Sequence, residues 1–224
     1  MDWTAFWVSV RLSTATMLVL IVVGVPLAYW VAFSHRRWKF LVEAVVALPL
    51  VLPPTVLGFY ILVATGPMSP FGRWYASTVG RGLPFSFQGL LVASVLYSLP
   101  FAVQPFSAAF AAVDPRLIET SWTLGVSRPA TFARVILPLS VRGLVTGMVL
   151  SFAHTLGEFG VVLMIGGNVP GSTRTVSISI YDAVQALDYQ AAGSTSLVLL
   201  AVSFVILAIT YALQRSAWAA WPIR

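Results

Sequence analysis

The sequence contains no cysteine, which removes disulfides, thiolate metal sites and cysteine nucleophiles at once. It lacks a G-x-x-x-x-G-K-[ST] loop, so it carries no phosphate cradle of that kind for a nucleotide. It also has no H-E-x-x-H pair and no serine nucleophile elbow, which argues against an intramembrane metalloprotease or serine hydrolase. Charge is scarce: 9% of the 224 residues are charged, against 58% hydrophobic. A soluble domain of this length has no interior large enough for so much apolar surface, whereas several membrane spans hold it directly. No internal repeat is visible, so the inverted-repeat layout of many secondary transporters finds no support. The net charge of +6 could suggest nucleic acid, but most of the basic residues sit beside apolar runs. There they act as topology signals, and no nucleic-acid partner is expected.

What is present is a series of apolar runs. They predict an all-α polytopic membrane protein, a single domain over 1–224, with five transmembrane helices near 12–33, 44–65, 89–113, 139–159 and 191–213. Leu12–Phe33 is 22 residues without an ionisable side chain, enough to cross about 30 Å of hydrocarbon. It is too long for a signal-peptide core and has no small-residue cleavage site, so it is expected to be retained. The second run is broken by Pro49, Pro53 and Pro54, and the third holds Pro100 and Pro105. The fourth carries Arg142 near its start and His154 and Glu158 near its end. Residues 160–190 are mixed in character and fit either a re-entrant segment or one outside the bilayer.

An odd number of spans puts the termini on opposite sides. With the amino terminus outside and the carboxyl terminus cytoplasmic, nine basic residues face the cytoplasm: Arg36, Arg37, Lys39, Arg116, Arg128, Arg134, Arg142, Arg215 and Arg224. Four face outward, namely Arg11, Arg73, Arg81 and Arg174. That asymmetry obeys the positive-inside rule, and the reverse orientation would break it. Five spans enclose a pore of useful size only if two copies pair, so a homodimer is expected.

The densest polar island runs from Asp114 to Pro138, DPRLIETSWTLGVSRPATFARVILP. Asp114 can cap a helix whose first turn tolerates Pro115. Leu117, Ile118, Trp122 and Leu124 give it a short apolar face, and Gly125 supplies a stop. Ser127 and Pro129 mark a second helical start. The expected result is a short helix across the cytoplasmic surface, a glycine corner and a re-entry into the bilayer, which is a docking element.

Glu119-Thr120-Ser121-x-x-x-Gly125, followed by Val135-x-Leu137-Pro138, resembles the cytoplasmic EAA loop of binding-protein-dependent ABC importer permeases. Thr120 and Ser121 replace the two alanines, and Val135 replaces an isoleucine. Within that superfamily the chain is similar to molybdate permease subunits, on three further stretches: Leu48–Gly58, Ser151–Gly160 and Asn168–Thr175. The resemblance runs from about Leu12 to Leu213. It implies the transmembrane domain of a type I importer, molybdate/methionine-permease-like, in the inner membrane. It implies a permease that moves molybdate, or tungstate, into the cytoplasm by alternating access. The nearest alternative is another oxyanion such as sulfate or thiosulfate. Implied partners are two cytoplasmic ATPase subunits, which hold ATP-Mg, and a periplasmic molybdate-binding protein, besides membrane lipid. The chain itself is expected to be no enzyme and to hold no cofactor or metal.

The same resemblance assigns ATPase coupling to Asp114, Glu119, Trp122 and Gly125, with Glu119 orienting the loop and Gly125 allowing the turn. Candidates for the pathway or its gate are Pro53, Pro54, Thr55, Ser151, Thr155, Glu158 and Gly160. A dianion needs hydroxyl and N–H donors along its path, although serine and threonine in spans also serve as helix–helix contacts. Glu158 is either a buried brace for the bend at Gly157–Gly160 or a solvated helix end at the outer interface. His154, four residues earlier, is its expected partner if both lie on one helical face. Arg174 is either a contact for the anion or its binding protein, or an exposed structural arginine.

Overall fold

The computed structural model describes residues 2–219, with side chains described through residue 212. Arg224 and the side chain of Arg215, both counted in the charge balance, lie outside the described residues. Among the described residues the chain is all helix, with no strand. Four helical stretches are long and apolar enough to cross a membrane, and a bent helix pair makes a fifth if it counts as one span.

α1, Trp3–Phe33, is 31 residues, or about 45 Å of helix. Asp2 caps it by accepting from the Ala5 N–H at 3.0 Å. α2, Lys39–Val51, and α3, Pro54–Thr65, meet at 114°. The second apolar run is therefore two half-helices rather than one kinked rod. Proline explains the break: it pushes the preceding residue out of the helical region. Leu52 (ψ 135°) and Pro53 (ψ 135°) are both extended, and Pro54 then opens α3 where no N–H is needed.

α4, Pro70–Val79, is a short helix capped by Ser69, and α5, Phe87–Ala111, is the central span. α6, Pro115–Thr123, is the surface helix of the polar island. α7, Arg128–Thr131, continues through a π-helical turn, Phe132–Ile136, into α8, Leu137–Gly157. The three form one helical stretch that starts well ahead of residue 139. Its wide turn has a cause in Pro138, which lacks an N–H and crowds the preceding turn; the extra residue per turn absorbs both faults. α9, Gly160–Gly166, and α10, Val176–Gln185, occupy the mixed segment, and α11 runs Tyr189–Ala219.

Two apolar cores stack along α5. One gathers Leu20, Ala28, Phe106, Phe110, Ile118, Ile136 and Leu144 toward the α6 end. The other gathers Leu12, Ile61, Leu90, Ala93, Val161, Ile165 and Ile178 toward the opposite end. α5 and α8 approach closely at Gly143 and Gly147. A Cβ on Gly147 would stand 2.6 Å from Phe106 Cε1, and one on Gly143 would overlap Ala109 Cβ. This small-x-x-x-small spacing lets two helix backbones come together.

Candidate functional site

Between the two cores lies a buried polar layer. Ser94 and Ser98, one turn apart on α5, face α8. Ser98 Oγ lies 2.9 Å from Thr155 Oγ1 and 3.0 Å from His154 Nδ1. Ser94 Oγ donates to Glu158 Oε2 at 3.4 Å. Thr155 also donates to the Ser151 carbonyl at 2.9 Å, and Ser151 to the Met148 carbonyl at 3.0 Å. Glu158 is only 6% exposed, and its Oε1 has no hydrogen-bond partner.

Burial decides between the two readings of Glu158: it is not a solvated helix end. The pairing with His154 does not form. Four-residue spacing brings two side chains together only while both residues are helical. Glu158 has already left α8, with ψ 139°, so its carboxylate swings to Ser94. The His154 ring instead stacks on Phe101 at 3.9 Å between centroids and bonds Ser98. The serines of α5 escaped the sequence reading. Their signal was a pair of hydroxyls four residues apart in a run without charge, which marks one face of a span.

The break that follows Glu158 meets the break in the α2–α3 pair. A Cβ placed on Gly160 would stand 2.6 Å from Pro54 Cβ and 3.6 Å from the Thr55 nitrogen. One on Gly58 would stand 2.7 Å from Met164 Cβ. α3 and α9 are thus two half-helices packed backbone to backbone. The structure brings Pro53, Pro54, Thr55 and Gly160 to one junction, beside the layer that holds Ser151, Thr155 and Glu158. Thr55 is exposed, whereas Ser151 and Thr155 are buried and spend their hydroxyls inside the α5–α8 contact.

At one end of the molecule, Arg174 lies within 3.8 Å of Asp2 and 3.5 Å of Asp182, and donates to Asn168 Oδ1 at 2.6 Å. It ties the turn after α9 to the start of α1 and to α10. Val176 N–H also donates to Ser9 Oγ on α1 at 2.8 Å. Arg174 is therefore engaged internally by two carboxylates.

At the other end stands α6. Asp114 caps it by accepting from the Arg116 N–H at 2.9 Å. Gly125 takes φ +79°, and the two bonds of a Schellman turn close behind it: Gly125 N–H to Trp122 O at 2.9 Å and Val126 N–H to Ser121 O at 3.1 Å. Ser121 Oγ lies 2.9 Å from Thr131 Oγ1, fastening the helix to the foot of the 128–157 stretch. Ile118 is buried in the core, but Leu117 (49%), Trp122 (45%) and Leu124 (77%) are exposed. At about 100° per residue, Leu117 and Leu124 fall on one side and Ile118 with Trp122 on another, so the four never formed a single face. Glu119 is exposed and makes no hydrogen bond or ion pair among the described residues. Ser121, Thr131 and the Schellman turn hold the loop's orientation internally.

Residues 24–217 match the family described as the binding-protein-dependent transport system inner membrane component. The molybdenum transport system permease protein ModB of Azotobacter vinelandii is 48% identical over 215 residues, covering 96% of this chain and 95% of that protein. The ModB of Escherichia coli is 31% identical over 93% of this chain and 90% of its own length. Among solved structures, the MetNI methionine ABC transporter in an inward-facing conformation superposes with TM-score 0.75 at 16% identity, covering 96% of this chain and 95% of that one. A bacterial alginate ABC transporter, in complex with its alginate-bound periplasmic protein, gives TM-score 0.76 at 18% identity over 96% and 78%. These two show a shared fold.

Proposed function

This chain belongs to the family of binding-protein-dependent transport system inner membrane components, and from that premise we propose that it carries molybdate inward as the permease subunit of an ATP-driven ABC importer. The observation that carries the substrate is its relation, along nearly the full length, to molybdenum permeases. It is a multi-pass inner-membrane transport subunit and not an enzyme. ATP hydrolysis belongs to partner subunits, and a periplasmic binding protein delivers the substrate.

The finer assignments are our reading. The permease works as a homodimer with two ATPase subunits beneath it. Support comes from the small number of spans: one copy supplies at most five, too few to enclose a pore of useful size, so two copies pair around it. The amino terminus is outside and α6 faces the cytoplasm, in keeping with the basic residues. The capped helix offers Glu119, Leu117, Leu124 and the edge of Trp122 to an ATPase surface. Gly125 and the Ser121–Thr131 contact make it rigid against the foot of the 128–157 stretch, so a push on α6 moves that stretch as a lever.

The gate, on this reading, is the junction of the two breaks, where Pro53, Pro54, Thr55 and Gly160 meet. Half-helices joined by extended residues can change angle without breaking their own hydrogen bonds, which suits a two-state element biased by the ATPase. Glu158 braces that junction from the buried layer; a carboxylate repels a dianion and is not its ligand. Ser151 and Thr155 act as helix contacts, while Thr55 remains open to the pathway. The test is reconstitution of the permease with its ATPase subunits and binding protein in proteoliposomes. Molybdate should accumulate only with ATP on the ATPase side, and accumulation without ATP would overturn the proposal.

A further inference from the structure

Two grooves flank the α6 end of α1 and meet at Tyr29 and Arg128. One, of about 420 Å³, is walled by Val25, Pro26, Tyr29, Pro129 and Phe132, with Arg128 at its mouth. The other, of about 380 Å³, runs from Tyr29 past Phe33 and His35 to Ile118 and Trp122. No acidic residue lines either groove. Arg128 has no carboxylate partner among the described residues: the ion pairs are Lys39–Glu43 and the two made by Arg174. Its guanidinium stands instead over the Trp122 ring, 5.6 Å from the centroid. The Tyr29 hydroxyl likewise makes no hydrogen bond among the described residues, leaving a donor available beside the cation.

Placement gives these features a common meaning. Arg128 is the first residue of the helical stretch 128–157, at the end that the basic residues assign to the cytoplasmic side of the membrane. From there the apolar wall climbs one turn of α1, from Tyr29 to Val25, toward the membrane interior. A single unpaired cation at the end of an apolar wall matches an amphiphile with an anionic head. A free anion would leave the wall unused, and a zwitterionic lipid carries its own ammonium beside the phosphate, which competes with Arg128 for that charge. The basic run His35-Arg36-Arg37 next to the second groove adds to the same local potential.

We infer that this double groove binds the phosphate headgroup of one anionic phospholipid per permease, with an acyl chain along Val25, Pro26 and Phe132. Because Arg128 rests on Trp122 of α6, the lipid sits against the helix through which the ATPase is coupled. The inference rests on the membrane-permease reading and is independent of which ion is carried.

Native mass spectrometry of the purified permease–ATPase complex, delipidated and given back phosphatidylglycerol or phosphatidylethanolamine, tests it. Wild type should retain phosphatidylglycerol in preference, and excess inorganic phosphate should not displace it. Arg128→Gln should lower that retention about fivefold, the worth of one cation at an anionic surface, and Arg128→Lys should keep most of it. Equal retention of the two lipids by wild type, or unchanged phosphatidylglycerol on Arg128→Gln, overturns the inference. Loss of the ATPase subunits from Arg128→Gln with lipid retention unchanged would assign Arg128 to the ATPase interface instead. Molybdate uptake by the wild-type complex is measured in parallel, so failure of the transport reading registers separately.

Discussion

Gly160 is packed against Pro54 so closely that the Cβ of any other residue there would stand 2.6 Å from the proline Cβ. The two breaks in the second and fourth spans are thereby one structural unit, built where neither helix can continue. Gly160→Ala should therefore disturb the unit, at the cost of about 1–3 kcal/mol typical of overpacking, and uptake should fall. Gly157→Ala, whose Cβ would meet nothing within 4 Å, should be tolerated. Thermal stability and uptake of the two variants, compared side by side, check the pair.

Glu158 serves as an acceptor for Ser94 across the α5–α8 contact. If bracing is its task, Glu158→Gln, which keeps one acceptor oxygen, should transport better than Glu158→Leu, which keeps none. Both should insert normally. Equal uptake by the two variants at equal membrane levels would mean that the hydrogen bond does not matter.

Gly125 holds φ +79° with open space around its missing Cβ, so its requirement is conformational and not steric. An ordinary residue pays about 1–2 kcal/mol in that region, whereas asparagine visits it readily. Gly125→Asn should retain more uptake than Gly125→Val. The reverse order would show that the side chain, and not the turn, is what the ATPase senses.

Much of this was legible beforehand because it depends on local chemistry. The apolar runs marked the spans, and Asp114, Pro115 and Gly125 marked both ends of α6 through capping rules that need no tertiary partner. The rest depended on neighbours far along the chain. The direction of Glu158 was set by Ser94, 64 residues away, and by a backbone that leaves the helix one residue earlier than the i,i+4 pattern assumes. The prolines at 53 and 54 announced a bend, but the 114° angle follows from how α3 seats on α9, through Gly58 and Gly160. The inward and outward faces of α6 could be separated by angle alone, yet only the core around Ile118 decides which of them is buried.

Exposed Leu117 and Leu124 have no internal role among the described residues. Leu117→Glu with Leu124→Glu should leave the permease folded and inserted while its ATPase subunits no longer co-purify. Retained co-purification would place the ATPase contact elsewhere.

Arg174 joins Asp2 and Asp182 while all three remain partly exposed, so each pair contributes no more than about 1 kcal/mol. Arg174→Gln should lower thermal stability only slightly. A large loss of uptake at unchanged stability would instead assign Arg174 to the anion or to its binding protein.

The central claim is tested most directly by uptake of labelled molybdate at limiting concentration, in cells with and without the gene for this chain, with excess tungstate or sulfate as competitor. The account predicts that uptake is lost without the gene, and that in its presence tungstate blocks uptake while sulfate does not. Unchanged molybdate uptake in the deleted strain, with sulfate uptake lost in its place, would contradict the substrate while leaving the importer architecture standing.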